Sequence, residues 1–568
     1  MNEEDFLLAA TMAPPPLQAP VSKTNAATGH NHDPVATAMF NAIRQSKDLT
    51  ITRRDFETAI EHTGILLDDP RIRETVKALR RRADLEPITL SEFAESLHPS
   101  TTSLLHRALR GDLIIPDFQR FRDKLTTIFD FVRDYDGGEV ATYIPQLARV
   151  NPDLYSIAVC TVDGQRMSLG DDEERYCVQS TCKPINYAIA MDTLGQAQVQ
   201  RHVGREPSGR SFNELTLNNA SLPHNPMINA GAIMCSALIK PGLPLADRFD
   251  YVMSVWRSLA GNESAGFDNS VYLSEKDTAD RNFALAYFMR ENKAFPPDTD
   301  LIATLDFYFQ CCSITVDVKQ MATVAATFAN GGICPMTDKR VFSPSTTKNC
   351  LSLMYSCGMY DFSGEYAFTV GLPAKSGVSG AMFIVVPGVC GIALYSPRLD
   401  SLGNTVRGVE FSKRLVETFP FHTYANVVAD HRLVDPRRSE VMNEVEPAFL
   451  MCAAGARGDV SEMRRLIAKG TEVNSADYDG RTGLHLAASE GHTEAVRFLI
   501  DQGARIDPKD RWGNTPLDDA VRGGHATVEK LLRLVGEELQ QIIGTAAEPG
   551  AEATAQPKPK PTKLARDR

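Results

Sequence analysis

The chain has no run of roughly 20 apolar residues such as a membrane-crossing helix needs. Its longest nearly apolar stretch, Ala381 to Tyr395, is broken by Pro387 and Gly388 and reads as a hairpin. No membrane partner is expected. A basic excess is missing too: 60 Lys and Arg stand against 72 Asp and Glu, a formal net charge of -12. That balance excludes a chain-wide electrostatic grip on nucleic acid. There is no P-loop, zinc pattern or glycine-rich dinucleotide fingerprint, so no cofactor is expected. The 11 cysteines are odd in number, and the ten from Cys160 to Cys390 show no paired, metal-type spacing. They read as reduced, buried thiols of an intracellular protein. The opening "MNEEDFLLAATMAPPPLQAP" carries acidic residues where an export or transit peptide carries Lys or Arg, so a cytoplasmic location is expected.

What is present exceeds one simple core. At 568 residues, 43% hydrophobic and 23% charged, about two to four domains are expected. Residues 1–33 are polar and rich in Pro, Ala and Asn, which reads as disorder, and the "HNHD" at His30 to Asp33 reads as no metal site. From 34 to 135 apolar residues recur every three or four positions, the pattern of helices. Two connectors, Ile51 to Phe56 and Ile88 to Phe93, resemble paired EF-hand junctions, but neither has the Asp/Asn ligands and turn glycine of a calcium loop. This is read as a calcium-free helical assembly module.

A different texture fills 136–426. "LYSIAVCTVDGQRMSLGD" is a hairpin candidate turning at Asp163-Gly164, a helix-rich middle follows, and "AMFIVVPGVCGIALYSP" closes with a second hairpin. Strands at both ends with helices between predict an α+β domain, one sheet faced by helices. A linker is expected over 427–444. Over 445–540 a 33-residue offset appears: Thr482 to Thr515, Leu484 to Leu517 and Gly491 to Gly524, with Gly458, Leu466 and Gly470 one period earlier. That period is the ankyrin signature. The tail, 541–568, is low in complexity and reads as unfolded.

The chemistry centres on "CVQSTCKPINY", Cys177 to Tyr187. At a helix N-terminus, positions i and i+3 share a face, so Ser180 and Lys183 can enter one pocket, with Pro184 in the first turn. A desolvated lysine gives up its proton and can serve a serine hydroxyl as base. The same pair also reads as an ordinary helix opening. A second element, Lys375-Ser376-Gly377, is expected immediately before a strand and echoes the Lys-Thr-Gly of serine acylating enzymes. Cys177 and Cys182 flank the serine without a nearby histidine and read as structural.

These motifs, with "YIPQLA", "VGREPSG", "PHNPMINAGAI", "ADRNFA", "LDFYFQ", "CGMYDFSGEYAF" and "GLPAKSGVSG", resemble the serine-dependent glutaminase family, of the long animal type with a helical module before and ankyrin repeats after. The resemblance implies a β-lactamase-like α+β serine-acyl-enzyme domain that hydrolyses L-glutamine to L-glutamate and ammonia through a glutamyl-serine. It implies Ser180 as nucleophile, with Lys183 and Tyr360 moving protons and the Ser180 and Val378 amides holding the oxyanion. Glu275 would grip the substrate ammonium. Asn229, Asn282, Tyr143 and Tyr308 would supply donors, with Gln179 beside the nucleophile. It further implies a homotetramer or filament, a mobile loop at Gly204 to Pro226, inorganic phosphate as a candidate activator, and the mitochondrion as the alternative compartment. Thr216 stands where kidney-type members carry a bulky aromatic, which puts sensitivity to loop-directed inhibitors in doubt. The ankyrin units leave room for a protein partner. The rival readings are another Ser-x-x-Lys acyl enzyme and an inactive ankyrin scaffold.

Overall fold

The computed structural model of the chain describes residues 33–44, 49–209, 214–425, 427, 433–438, 440–468 and 471–545. The histidines of "HNHD" and the tail from 546 onward lie outside the described residues.

The first module is helical, with helices at Pro34–Ile43, Arg53–His62, Arg73–Leu79, Leu90–Ser96 and Pro99–Leu109. Its two connectors behave alike. Thr52 and Asp55 cap one helix reciprocally, as do Thr89 and Glu92 the other, each pair satisfying amides that the first turn leaves open. The residues just before the caps, Ile51 and Ile88, pair antiparallel through two backbone hydrogen bonds of 3.0 and 2.7 Å. This is the paired-loop geometry of an EF-hand, held here by backbone bonds and by the packed rings of Phe40, Phe56 and Phe93.

The next layer is a five-stranded antiparallel sheet in the order β2-β1-β8-β7-β6 and a three-stranded sheet in the order β3-β5-β4. The strands are β1 (Ser156–Thr161), β2 (Arg166–Gly170), β3 (Tyr176–Cys177), β4 (Gly266–Phe267), β5 (Ile314–Val316), β6 (Ala374–Ser376), β7 (Ala381–Val386) and β8 (Cys390–Tyr395). Both expected hairpins are present, β1–β2 turning through Gly164 and β7–β8 through Gly388, each glycine at positive φ. Every residue of β1, β7 and β8 is buried, because helices cover both faces. The helix Val318–Ala329 lies so close on one face that a Cβ on Gly391 would stand 2.2 Å from the Ala326 amide nitrogen; only glycine permits that approach. On the other face Phe121, Leu125 and Phe129 of helix Phe118–Arg133 share a core with Met382, Ile384 and Phe411 of helix Val406–Thr418. The packing of the sheet thus reaches back to Phe118.

The β1–β2 turn is also where the helical module attaches. The fully buried side-chain amide of Gln165 donates to the carbonyls of Thr63 and Ile115 at 2.7 and 2.9 Å, and Asp163 meets Arg107 at 2.8 Å.

The C-terminal part stacks helix pairs: Glu440–Arg457 with Val460–Ala468, Gly483–Ser489 with Thr493–Asp501, and Pro516–Arg522 with Ala526–Thr545. The 33-residue offset has a physical counterpart. His492 and His525 each place a ring nitrogen on a carbonyl of the preceding unit, Ala456 and Ser489, at 3.0 and 2.9 Å. One core running from Met451 through Leu484 to Leu532 joins the three units, as stacked repeats require. Among the described residues no helix is long and apolar enough to cross a membrane.

Candidate active site

Ser180 sits in a single 3-10 turn, Gln179–Thr181, that runs directly into helix Cys182–Leu194. Every side chain of that helix from Cys182 to Met191 is buried, so Lys183 has no solvent-facing direction to take. Its amine lies 3.0 Å from Ser180 Oγ and donates to Asn229 Oδ1 at 2.7 Å. Burial is the largest influence on it and pulls its pKa down to about 8, since dry surroundings disfavour the ammonium.

Tyr360 closes the other side. Its hydroxyl hydrogen-bonds Ser180, which partly offsets the rise in pKa that burial causes. Its φ is +52°, and that of Gln179 is +46°. Non-glycine residues held in the left-handed region are strained, and such strain gathers at functional sites.

Asn229 opens helix Asn229–Leu238 and ties three elements together. Beyond Lys183, its amide donates to Asn282 Oδ1 at 3.1 Å and its oxygen accepts from Tyr308 at 3.4 Å. Glu275, on helix Asn269–Asp277, is buried, and its carboxyl pKa is raised, desolvation leading, with hydrogen bonds from Tyr143 and Gln179 pulling back. The Tyr143 hydroxyl donates to Glu275 at 2.5 Å and to Gln179 Oε1 at 3.2 Å. The Tyr143 residue is nonetheless 46% exposed: the ring forms a rim while its polar end turns inward.

Of the residues expected from the sequence, Ser180, Lys183, Tyr360, Asn229, Asn282, Tyr308, Glu275, Tyr143 and Gln179 therefore form one connected set. Val378 belongs to the turn after β6, packs half-buried beside Ile144 and Cys177, and follows Gly377, whose added Cβ would lie 3.5 Å from the Ser180 nitrogen. One expectation needs correction. Lys375 and Ser376 do not precede a strand but form part of β6, the edge strand, because the turn at Gly377–Gly380 lets the chain fold straight back onto β7.

The reading of the sequence gave Lys375 no side-chain role. Its amine is fully buried, donates to the Ser376 carbonyl at 2.6 Å and stands 4.4 Å from the centre of the Tyr360 ring. Burial, then the charge of Lys183, hold its pKa well below the usual range. A lysine inside an otherwise apolar strand was the available signal. Cys177 is buried, and its pKa is pushed up to about 12, chiefly by burial; a thiol so held is a poor nucleophile. Among the described residues no group of three His, Cys, Asp or Glu could hold a metal ion.

Residues 138–424 match the protein family described as Glutaminase, 450–541 match Ankyrin repeats (3 copies), and 35–116 match an EF-hand domain. The chain is 46% identical over 459 residues to a protein named Glutaminase liver isoform, mitochondrial, of Rattus norvegicus, covering 80% of this chain and 76% of that one. It is 41% identical over 329 residues to a protein named Glutaminase of Trichormus variabilis, covering 57% and 96%. A solved structure titled for Mglu in its native form superposes with a TM-score of 0.51 at 31% identity, covering 67% of this chain and 97% of that one.

Proposed function

We propose that this chain, which belongs to the glutaminase family and hydrolyses L-glutamine to L-glutamate and ammonia, does so through a glutamyl ester on Ser180. The observation that carries the reading is the buried amine of Lys183 at 3.0 Å from Ser180 Oγ. As a free amine it accepts the serine proton while it donates to Asn229, and the alkoxide attacks the side-chain amide carbon of glutamine. The developing oxyanion is met by the backbone amides of Ser180 and Val378, donors already fixed before reaction. Tyr360, bonded to Ser180, passes a proton to the departing ammonia. Water then cleaves the ester by the reverse relay.

Recognition follows from the charges of a free amino acid. Glu275 takes the ammonium in a charge-assisted bond, exchanging a tyrosine hydroxyl for a cation. Desolvation makes its lone charge costly, and a bound ammonium relieves that cost. Asn229, Asn282, Tyr308, Tyr143 and Gln179 supply neutral partners for the carboxylate and the reacting amide. The test is peptide mapping after incubation with an electrophilic glutamine analogue: the adduct is expected on Ser180, and an adduct elsewhere removes the assignment.

The assembly is proposed to be a homotetramer or filament, with the ankyrin units offered to a protein partner and inorganic phosphate as an activator. Light scattering with and without phosphate tests the first and last. A cytoplasmic location competes with the mitochondrial one carried in the name of the liver-type relatives, and cell fractionation separates them.

A further inference from the structure

Beside the candidate site lies a cavity of about 560 Å³, lined by Asn225, Met227, Ile228, Ser356, Tyr360 and Gly364 among others. Ammonia needs little more than the ~30 Å³ share of a water molecule. The cavity is far larger and falls in the size class that accepts whole small molecules. Its walls are apolar or neutral and polar, with the exposed Asp361 at the edge. Tyr360 belongs both to this cavity and to the hydrogen-bonded set around Ser180, whereas Glu275 and Tyr143, at the end that would hold the substrate ammonium, are not among its walls. The cavity therefore opens beside the group that would protonate the leaving nitrogen.

We propose that this cavity is an acceptor site for small primary amines, which take the glutamyl group from Ser180 in place of water. The proposal rests on the glutamyl-serine reading above. The amine nitrogen bonds to the glutamyl carbonyl carbon, the bond from that carbon to Ser180 Oγ breaks, and one amine proton passes by way of Tyr360 to the serine oxygen. The products are an amide-N-alkyl glutamine and free Ser180, and no oxidant or reductant is needed. An amine arriving where ammonia leaves retraces the acylation path, as reversibility of each step requires. Only the neutral amine attacks, so the aminolysis share rises with pH.

Gly364 provides the lever. It lines the cavity, and a Cβ built on it meets nothing within 4 Å, so a Gly364→Phe ring has open space to fill and touches none of the proposed catalytic residues. Full-length enzyme is given glutamine with ethylamine at mildly alkaline pH, and glutamate, ammonia and N-ethylglutamine are measured by mass spectrometry, with hydroxylamine as a parallel acceptor small enough to need no cavity. The expected result is ammonia in excess of glutamate by the amount of N-ethylglutamine formed. Gly364→Phe should cut the ratio of N-ethylglutamine to glutamate by roughly tenfold, the scale on which pockets discriminate size, while ammonia release persists. Hydroxamate without N-ethylglutamine overturns the acceptor site and leaves the glutamyl-serine standing. Neither product overturns both. An unchanged ratio in a folded, active Gly364→Phe enzyme also overturns the acceptor site.

Discussion

The amine of Lys183 is held between Ser180 Oγ at 3.0 Å and Asn229 Oδ1 at 2.7 Å. An amine that donates to a neutral amide oxygen on one side keeps its lone pair for the hydroxyl on the other. Asn229 thus aims the base without charging it.

That arrangement predicts a pH profile. With the Lys183 pKa at about 8, the free amine forms as pH rises, so kcat/KM should climb through about 8 and level off above it. Asn229→Asp would put a carboxylate beside the amine and raise that pKa by about 1 to 3 units. The rising limb should move up accordingly, and a limb that stays in place would detach it from Lys183.

Stability should run against activity at the same residue. Holding a lysine at about 8 instead of the ordinary 10.5 costs the folded state about 3 kcal/mol near neutral pH, at ~1.4 kcal/mol per unit. Because the folded pKa is the lower one, the penalty is whole below about 8 and fades as pH rises toward the ordinary value. Lys183→Met should abolish turnover and yet unfold at higher denaturant concentration than the parent at pH 7. A variant less stable than the parent would show that its hydrogen bonds outweigh its desolvation.

Glu275→Gln keeps the shape of the side chain and removes its charge. A hydrogen bond to a charged group contributes about 1.5–3 kcal/mol, so kcat/KM for glutamine should fall by about 10- to 100-fold. A glutamine analogue lacking the α-amino group should be hydrolysed equally by both enzymes. Equal losses on the two substrates would take Glu275 away from the ammonium.

The Gln165 amide makes its two donations, to Thr63 and Ile115, out of reach of water. Gln165→Leu strands both carbonyls at a cost of about 1–3 kcal/mol each. The melting temperature should drop while kcat per folded molecule is kept. A lowered kcat in fully folded enzyme would mean that the helical module acts on the site and not only on stability.

Local rules explain what was legible beforehand. Ser180 and Lys183 are one turn apart near a proline, and their meeting follows from helical spacing alone. The 33-residue offset of Thr482 and Thr515 follows from repetition, and the Asp163-Gly164 turn from backbone preference. Other features depend on partners distant in the chain. The stripe of Phe121, Leu125 and Phe129 shows that a face is buried, not that β7 and helix Val406–Thr418 cover it. Gln165 looks like any polar turn residue until Thr63 and Ile115 surround it. Lys375 alternates with apolar neighbours as any edge-strand lysine would, and only the closed sheet puts its amine over the Tyr360 ring.

Rapid-quench mass spectrometry of the enzyme during turnover of glutamine, followed by peptide mapping, tests the central claim most directly. The peptide spanning Cys177 to Tyr187 should carry one transient glutamyl group on Ser180, absent from Ser180→Ala. A glutamyl group on Cys177 or Cys182, or turnover persisting in Ser180→Ala, would contradict it.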